Sequence, residues 1–330
     1  MDIDAFVARH AGEWRRLEDL VARRRLSGAE VDELVALYQR TATHLSMIRT
    51  RSPDPALVGR LSTLVARARS AVAGGSAPAW REIGRFFRVT FPVVVYRAWP
   101  WWCGVAAAFS LVAFGLVGYV AAHPEVQARI ATPAEIRQLV DSDFANYYSE
   151  NPAQSFAFEV WTNNALVAAG TLVLGITLLG AAYILLQNAL NLGVVGGLMV
   201  GAGHADKFFG LISPHGILEL TVVFVAAGAG LRLGWAWIDP GPLPRARALA
   251  TQGRAAVTVA LGLVVVLAVS GVIEAFVTPS TLPTWARVGI GGLAELAFLG
   301  YILRYGRRAA RLGESGDLGL GLREDAAPVA

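Results

Sequence analysis

Beyond residue 99 the chain carries six apolar runs separated by short polar interruptions: Pro100 to Ala122, Asn164 to Leu186, Asn188 to about Phe209, Gly216 to Ile238, Ala255 to Phe276 and Val288 to Leu303. A helix needs roughly 20 apolar residues to cross hydrocarbon, so the pattern predicts six membrane-spanning helices. The third is the weakest. After Asn188 and Asn191 its firmly apolar part is only Leu192 to Gly203, and the segment 188–209 fits either a full span or a re-entrant half-helix. The second alternative requires surrounding protein, because non-helical backbone at membrane depth must find its hydrogen bonds there.

Ahead of these runs the period is that of surface helices. Phe6, Trp14, Leu17, Leu20 and Val21 recur near 3.6 residues, and Ser27-Gly28-Ala29-Glu30 has the form of a capping box. Leu34, Leu37, Tyr38, Thr41 and Leu45 continue one face, Pro53 and Pro55 punctuate, Leu57 to Val72 is a third helical stretch, and Gly74-Gly75-Ser76 is a turn. Residues 1–79 are expected to form a cytoplasmic helical hairpin or small bundle. Residues 80–99 interleave Arg81, Arg85, Arg88 and Arg97 with Trp80, Ile83, Phe86, Phe87, Phe91 and Tyr96. That composition suits an amphipathic helix lying in the headgroup region, the alternative being a helix packed on the bundle. Residues 313–330 are Gly-rich and mixed in charge, and read as a disordered tail.

Composition removes the soluble alternatives. Hydrophobic residues make up 55% of the chain, charged residues 16%, and mean hydropathy is +0.48; the expected fold is an all-α polytopic bundle with residues 100–312 as its membrane domain. Met1 to Arg15 is charged and predicts no cleaved signal peptide. Cys103 is the only cysteine, so an intrachain disulfide is excluded, and it reads as an inert packing residue.

Charge orients the spans. Residues 1–99 hold 16 arginines against 10 acids, the loop 123–163 carries Arg129 and Arg137 against six acids, and Arg304, Arg307, Arg308 and Arg311 follow the last run. The excess of cations marks the cytoplasmic side. Both termini are therefore expected in the cytoplasm, with the acidic loop external, in the cell (cytoplasmic) membrane. The same assignment sets Ser213 to Glu219 near the outer face and Gln187 to Asn191 near the inner one. The basic N-terminal region is expected to meet anionic lipid, and nucleic acid is not expected as a partner.

Polar residues inside apolar runs are costly and mark candidate function. Six form the candidate polar core: Asn163, Asn164, Asn188, Asn191, His215 and Glu219. Ser213 can cap a helix whose first position is Pro214, which leaves His215 and Glu219 on one face. Three readings of that pair compete: a structural lock, a proton or cation relay, and half of a metal site. No second histidine or acid cluster sits at ligand spacing, so no metal is expected. Glu274 lies close to a span end and can reach the interface; Glu295 lies near mid-span, with Arg232 as a candidate partner. Gly193, Gly197 and Gly201, and again Gly230 and Gly234, recur at spacing four and suit close helix packing, either within the chain or in a homo-oligomer. The chain has no nucleotide loop, no H-E-x-x-H helix and no Gly-x-Ser-x-Gly elbow, so no enzyme activity, catalytic residue or cofactor is expected.

These features resemble the stage II sporulation protein M (SpoIIM) family in its longer, non-sporulation form. The resemblance covers most of the chain, from Leu37-Tyr38-Gln39-Arg40, Leu45-Ser46 and Asp54-Pro55 to the membrane core. There it rests on Thr162-Asn163-Asn164, on an Asn188 to Gly193 turn, and on Pro214-His215-Gly216 with Glu219. Asn188-Ala189 stands where relatives commonly have Asn-Gly. The resemblance implies a membrane scaffold or complex-organising subunit linked to cell-envelope processes, with other membrane or envelope proteins as partners and a MoxR-type ATPase system nearby. The alternative is a permease or ion-conducting subunit using the Asn, His and Glu cluster.

Overall fold

A computed structural model describes residues 3–23, 26–51, 54–72, 79–144 and 153–316. The Gly74-Gly75-Ser76 turn, Pro53, the stretch 145–152 of the acidic loop and residues 317–330 of the tail lie outside the described residues. The chain divides into two compact units, Met1–Gly84 and Arg85–Ala330.

The first unit holds α1 (Ile3–Ala22), α2 (Gly28–Arg51) and α3 (Pro55–Val72). Its core is Trp14, Leu17, Leu20, Leu34, Leu37, Leu45, Ile48, Leu61, Leu64 and Ala68. These are the positions of the 3.6-residue period. The capping box is present at the start of α2, where the Ser27 backbone N–H and hydroxyl donate to Glu30 and the Glu30 backbone N–H donates back to Ser27 Oγ. Arg16 and Glu33 bridge α1 to α2 through two hydrogen bonds of 3.0 and 2.7 Å.

After α4 (Ala79–Arg85), a π turn (Phe86–Thr90) leads into α5 (Phe91–Arg97). The segment expected to lie flat in the headgroups is divided. Trp80 and Ile83 are exposed, whereas Phe91, Val93, Val94 and Val95 are buried in the core of the second unit. α5 is thus a packed helix rather than an interfacial one, because its apolar residues run consecutively instead of along one stripe.

The protein has six helices long and apolar enough to cross a membrane among its described residues. They are α6 (Trp99–Ala122), α9 (Ala153–Leu174), α10 (Leu179–Gly201), α11 (Ala205–Ile238), α12 (Arg245–Val272) and α13 (Thr284–Tyr301). The short α7 (Pro124–Ile130) and α8 (Pro133–Gln138) precede α9, and α14 (Arg307–Arg311) ends the bundle. α11 is central: 56% of its apolar window is buried in the bundle, against 22% for α6.

Two boundaries differ from the sequence reading. The break between the second and third spans is Gly175–Thr177 and Leu178, not Asn188, so α10 is one continuous helix of 23 residues, long and apolar enough for a full span, with no half-helix starting at Asn188. The reason is a close approach: a Cβ on Gly175 would lie 2.3 Å from the Gly230 carbonyl carbon, and one on Gly234 would lie 2.3 Å from Gly175 O. The connection turns where glycines let it seat against α11, and Leu178 takes φ 59 there. Likewise α11 begins at Ala205, so Ser213 and Pro214 lie inside a helix of 34 residues and not at its start. A proline inside a membrane helix is tolerated because neighbouring helices re-satisfy the freed groups.

Glycines close the other seam. A Cβ on Gly193 would lie 2.6 Å from Leu116 Cβ, one on Gly197 2.5 Å from Val120 Cβ, and one on Gly201 2.4 Å from Gln127 Nε2. The spacing-four run therefore faces α6 and its continuation within the same chain.

Candidate functional site

A chamber of about 360 Å³, open on one side, indents the membrane unit, lined by Asn163 and Asn164 of α9, Asn188 and Asn191 of α10, Ser213, His215 and Glu219 of α11, and Glu274; Asn163 and Asn191 are exposed at its open side, whereas His215 and Glu274 are buried. Phe109 and Phe114 of α6 and Phe208 and Phe209 of α11 supply part of its apolar wall. All six residues of the candidate polar core line this one space. The expectation that Asn188 and Asn191 sit at the opposite membrane face from His215 and Glu219 is corrected. α10 runs through the break assumed at Asn188, which brings both asparagines to mid-helix.

Local structure positions each group. Asn188 Nδ2 donates to the Ile184 carbonyl at 2.8 Å, one turn earlier, so the amide is accommodated within the helix without a turn. His215 and Glu219 are four residues apart on α11 and share a face. Glu274 begins no new helix: it sits in a π turn, Ile273–Val277, that continues α12. Such turns shift the side-chain register within a helix and are common at functional sites.

The centre of the chamber is a set of three: one ligand-capable atom each from His215, Glu219 and Glu274 lies within 4.8 Å of the others. His215 Nε2 is 3.6 Å from Glu274 Oε1, and His215 Nδ1 is 3.1 Å from Thr278 Oγ1. The Glu219 carboxyl faces Ser270, Asn164 and Glu274. Ser270 Oγ also donates to the His215 carbonyl at 3.1 Å, tying α12 to α11 at the level of the set. Glu274 is only 3% exposed, and its Oε2 has no hydrogen-bond partner among the described residues. A buried carboxylate oxygen in that state is expensive.

Glu274 is therefore buried in the bundle rather than reaching its surface, and although no second histidine or acid cluster sits at ligand spacing along the sequence, this acid stands at ligand distance in space. Sequence spacing reports neighbours on one helix only, and Glu274 arrives from another. One signal was present: Ser270, Glu274 and Thr278 recur at spacing four in an otherwise apolar run.

The Arg232 and Glu295 pair does not form. Thr221 Oγ1 donates to Glu295 Oε1 at 2.9 Å, and Arg232 stands eleven residues further along α11, roughly 16 Å at 1.5 Å per residue. Arg232 instead borders a smaller cleft with Trp101, Trp235 and Asp239. Gly230 packs on α9, where a Cβ would lie 2.6 Å from Leu172 O.

The first unit holds a second cluster, His10, Glu13 and His44. Its geometry is that of a packed core. Trp14 Nε1 donates to His44 Nδ1 at 3.2 Å, and the His10 and His44 rings lie 4.1 Å apart. An indole is a donor only, so His44 is held as an acceptor at Nδ1. Burial, then the neighbouring His10, keep its imidazole below the ordinary range.

Comparison with known proteins adds two family matches. Residues 4–74 match a domain of unknown function, DUF8413, and residues 106–279 match the family described as stage II sporulation protein M. No curated protein and no solved structure matches the chain. The second match covers more than half of the chain, including the four asparagine-bearing and acidic elements of the chamber from Asn163 to Glu274. The chain is a multi-pass membrane protein that belongs to the SpoIIM family.

Proposed function

We propose that the protein is a permease or ion-conducting subunit of the bacterial cell membrane, with both termini cytoplasmic, whose chamber accepts a small cationic or polar species. One observation carries this: four asparagines, a histidine and two glutamates from α9, α10, α11 and the end of α12 converge on a single cavity of about 360 Å³. Polar residues that lock helices hydrogen-bond to one another across the helix contacts. Here the acids border a space, and Glu274 Oε2 is buried with no hydrogen-bond partner among the described residues. Ionisable groups so arranged favour a species that enters and compensates them.

The test is flux in proteoliposomes. Purified protein should carry protons or small cations, and Glu219→Gln and Glu274→Gln should abolish the flux while leaving a monodisperse, folded protein. Folded wild-type protein with no flux of protons, monovalent or divalent cations would sink the reading.

A second reading is supported by the separate core of the first unit, Trp14 to Ala68. A helical unit with its own core suits partner recognition, as in a membrane scaffold that organises envelope proteins or a MoxR-type ATPase system without being an enzyme itself. Co-purification lost on deleting residues 1–84, with the chamber variants fully competent, would favour it over conduction.

A further inference from the structure

We propose that His215, Glu219 and Glu274 form a three-ligand site for a first-row divalent transition cation such as Mn²⁺ or Zn²⁺, open on its remaining side to the chamber. The inference deepens the conduction reading and rests on it for the ion's route of entry, but binding and flux are measured separately.

The first argument is geometric. Two ligands each about 2.1 Å from a tetrahedral metal are roughly 3.4 Å apart. The 3.6 Å between His215 Nε2 and Glu274 Oε1 is close to that figure and longer than an ordinary hydrogen bond. The third ligand lies within 4.8 Å of both. Small rotations of the carboxyls bring all three to coordination distance.

The second argument is the histidine's tautomer. His215 Nδ1 lies 3.1 Å from Thr278 Oγ1, an oxygen able to accept from an Nδ1–H. Nε2 is then the acceptor nitrogen of the ring, and it faces a carboxylate oxygen, another acceptor. A ring N–H anchored on the side away from the ion is also the usual support of a metal-bound histidine. Thr278 is wholly buried and so is well held for this purpose.

The third argument is charge. Glu219 and Glu274 face each other in a low-dielectric interior, where both can be ionised only with a compensating cation, and Glu274 Oε2 is buried with no hydrogen-bond partner among the described residues. A divalent ion would neutralise both acids and engage that oxygen. One imidazole with two carboxylates suits first-row ions such as Mn²⁺, Fe²⁺ and Zn²⁺ better than soft Cu(I). Asn164, which faces Glu219, borders the open side and offers an amide oxygen or holds a bound water.

The experiment uses the full chain, purified in detergent, stripped with chelator, and equilibrated with Mn²⁺ or Zn²⁺ separately. Bound metal is counted by elemental analysis, and Mn²⁺ is followed by electron paramagnetic resonance. The expected result is about one ion per chain, with binding weakened on the order of 100-fold in His215→Ala and Glu274→Gln, and on the order of 10-fold in Thr278→Val. Should those variants fold poorly, the wild type decides alone: coupling of bound Mn²⁺ to an imidazole nitrogen supports the site, and its absence overturns it. Equal binding in wild type and Glu274→Gln also overturns it. Metal binding without flux keeps the site and removes the conduction reading. Proton flux in a protein that binds no metal does the reverse, leaving a proton shared between Glu219 and Glu274.

Discussion

His215 and Glu274 meet across two helices, with Nε2 of the histidine 3.6 Å from Oε1 of the glutamate and both side chains at most 5% exposed. The pair closes the chamber on the side of α12, and Ser270 and Thr278 hold the histidine from the same face. Its strength should appear as coupling. In a double-mutant cycle of His215→Ala and Glu274→Ala, read by thermal unfolding, the two losses should differ from additivity by about 1 kcal/mol or more. Strictly additive losses would mean that the two groups do not interact.

The glycine at the α9 contact should be intolerant of a single methyl group. Gly230→Ala puts a Cβ 2.6 Å from the Leu172 carbonyl oxygen, and is expected to cost about 1–3 kcal/mol. Gly289→Ala on α13 meets nothing within 4 Å and should be neutral or slightly stabilising. Melting temperatures of the two variants in one detergent make the comparison. Similar values would remove the packing argument.

The first unit should lose stability in acid through His44. Its folded form favours the neutral ring, so the unfolded chain takes up the proton first. The contribution is complete above about pH 6.5 and is lost as pH falls from there towards the depressed folded value. Protonation at Nδ1 would also break the bond donated by Trp14. Amide protection factors in residues 3–72, taken relative to the intrinsic exchange rate at each pH, should fall over that range in wild type, and that fall should vanish in His44→Gln.

Core truncation in that unit should be costly. Leu61 is fully buried among α1, α2 and α3, and Leu61→Ala is expected to remove about 2–5 kcal/mol. Hydrogen exchange in residues 3–72 measures it, and unchanged protection would contradict the packing described.

The elements were largely legible in the chain because burial in lipid and burial in a helical core each leave a local signature. Trp14, Leu17 and Leu20 declare the inner face of α1 by spacing, and Ser27 with Glu30 marks the start of α2. Pro100 to Ala122 needs only its length. The boundaries that failed did so where tertiary contact overrode local preference. Asn188 resembles a break, but its amide is met by Ile184 O inside a helix, while the real break at Leu178 follows from the seating of Gly175 on Gly230. Pro214 resembles a helix start, but α11 already extends a further nine residues before it.

The chain by itself determined six apolar helices, a separate helical unit before them, and a short list of polar residues that hydrocarbon would not accept without cause. Those are consequences of solvation, and solvation acts residue by residue. Only the tertiary structure decided that Asn163, Asn164, Asn188, Asn191, His215 and Glu219 share one chamber, that Glu274 joins them, and that Arg232 and Glu295 do not meet. Which side chains face one another across helices depends on the rotation and depth of each helix. Those are set by glycine seams and by hydrogen bonds between distant segments, which spacing along a single helix does not record.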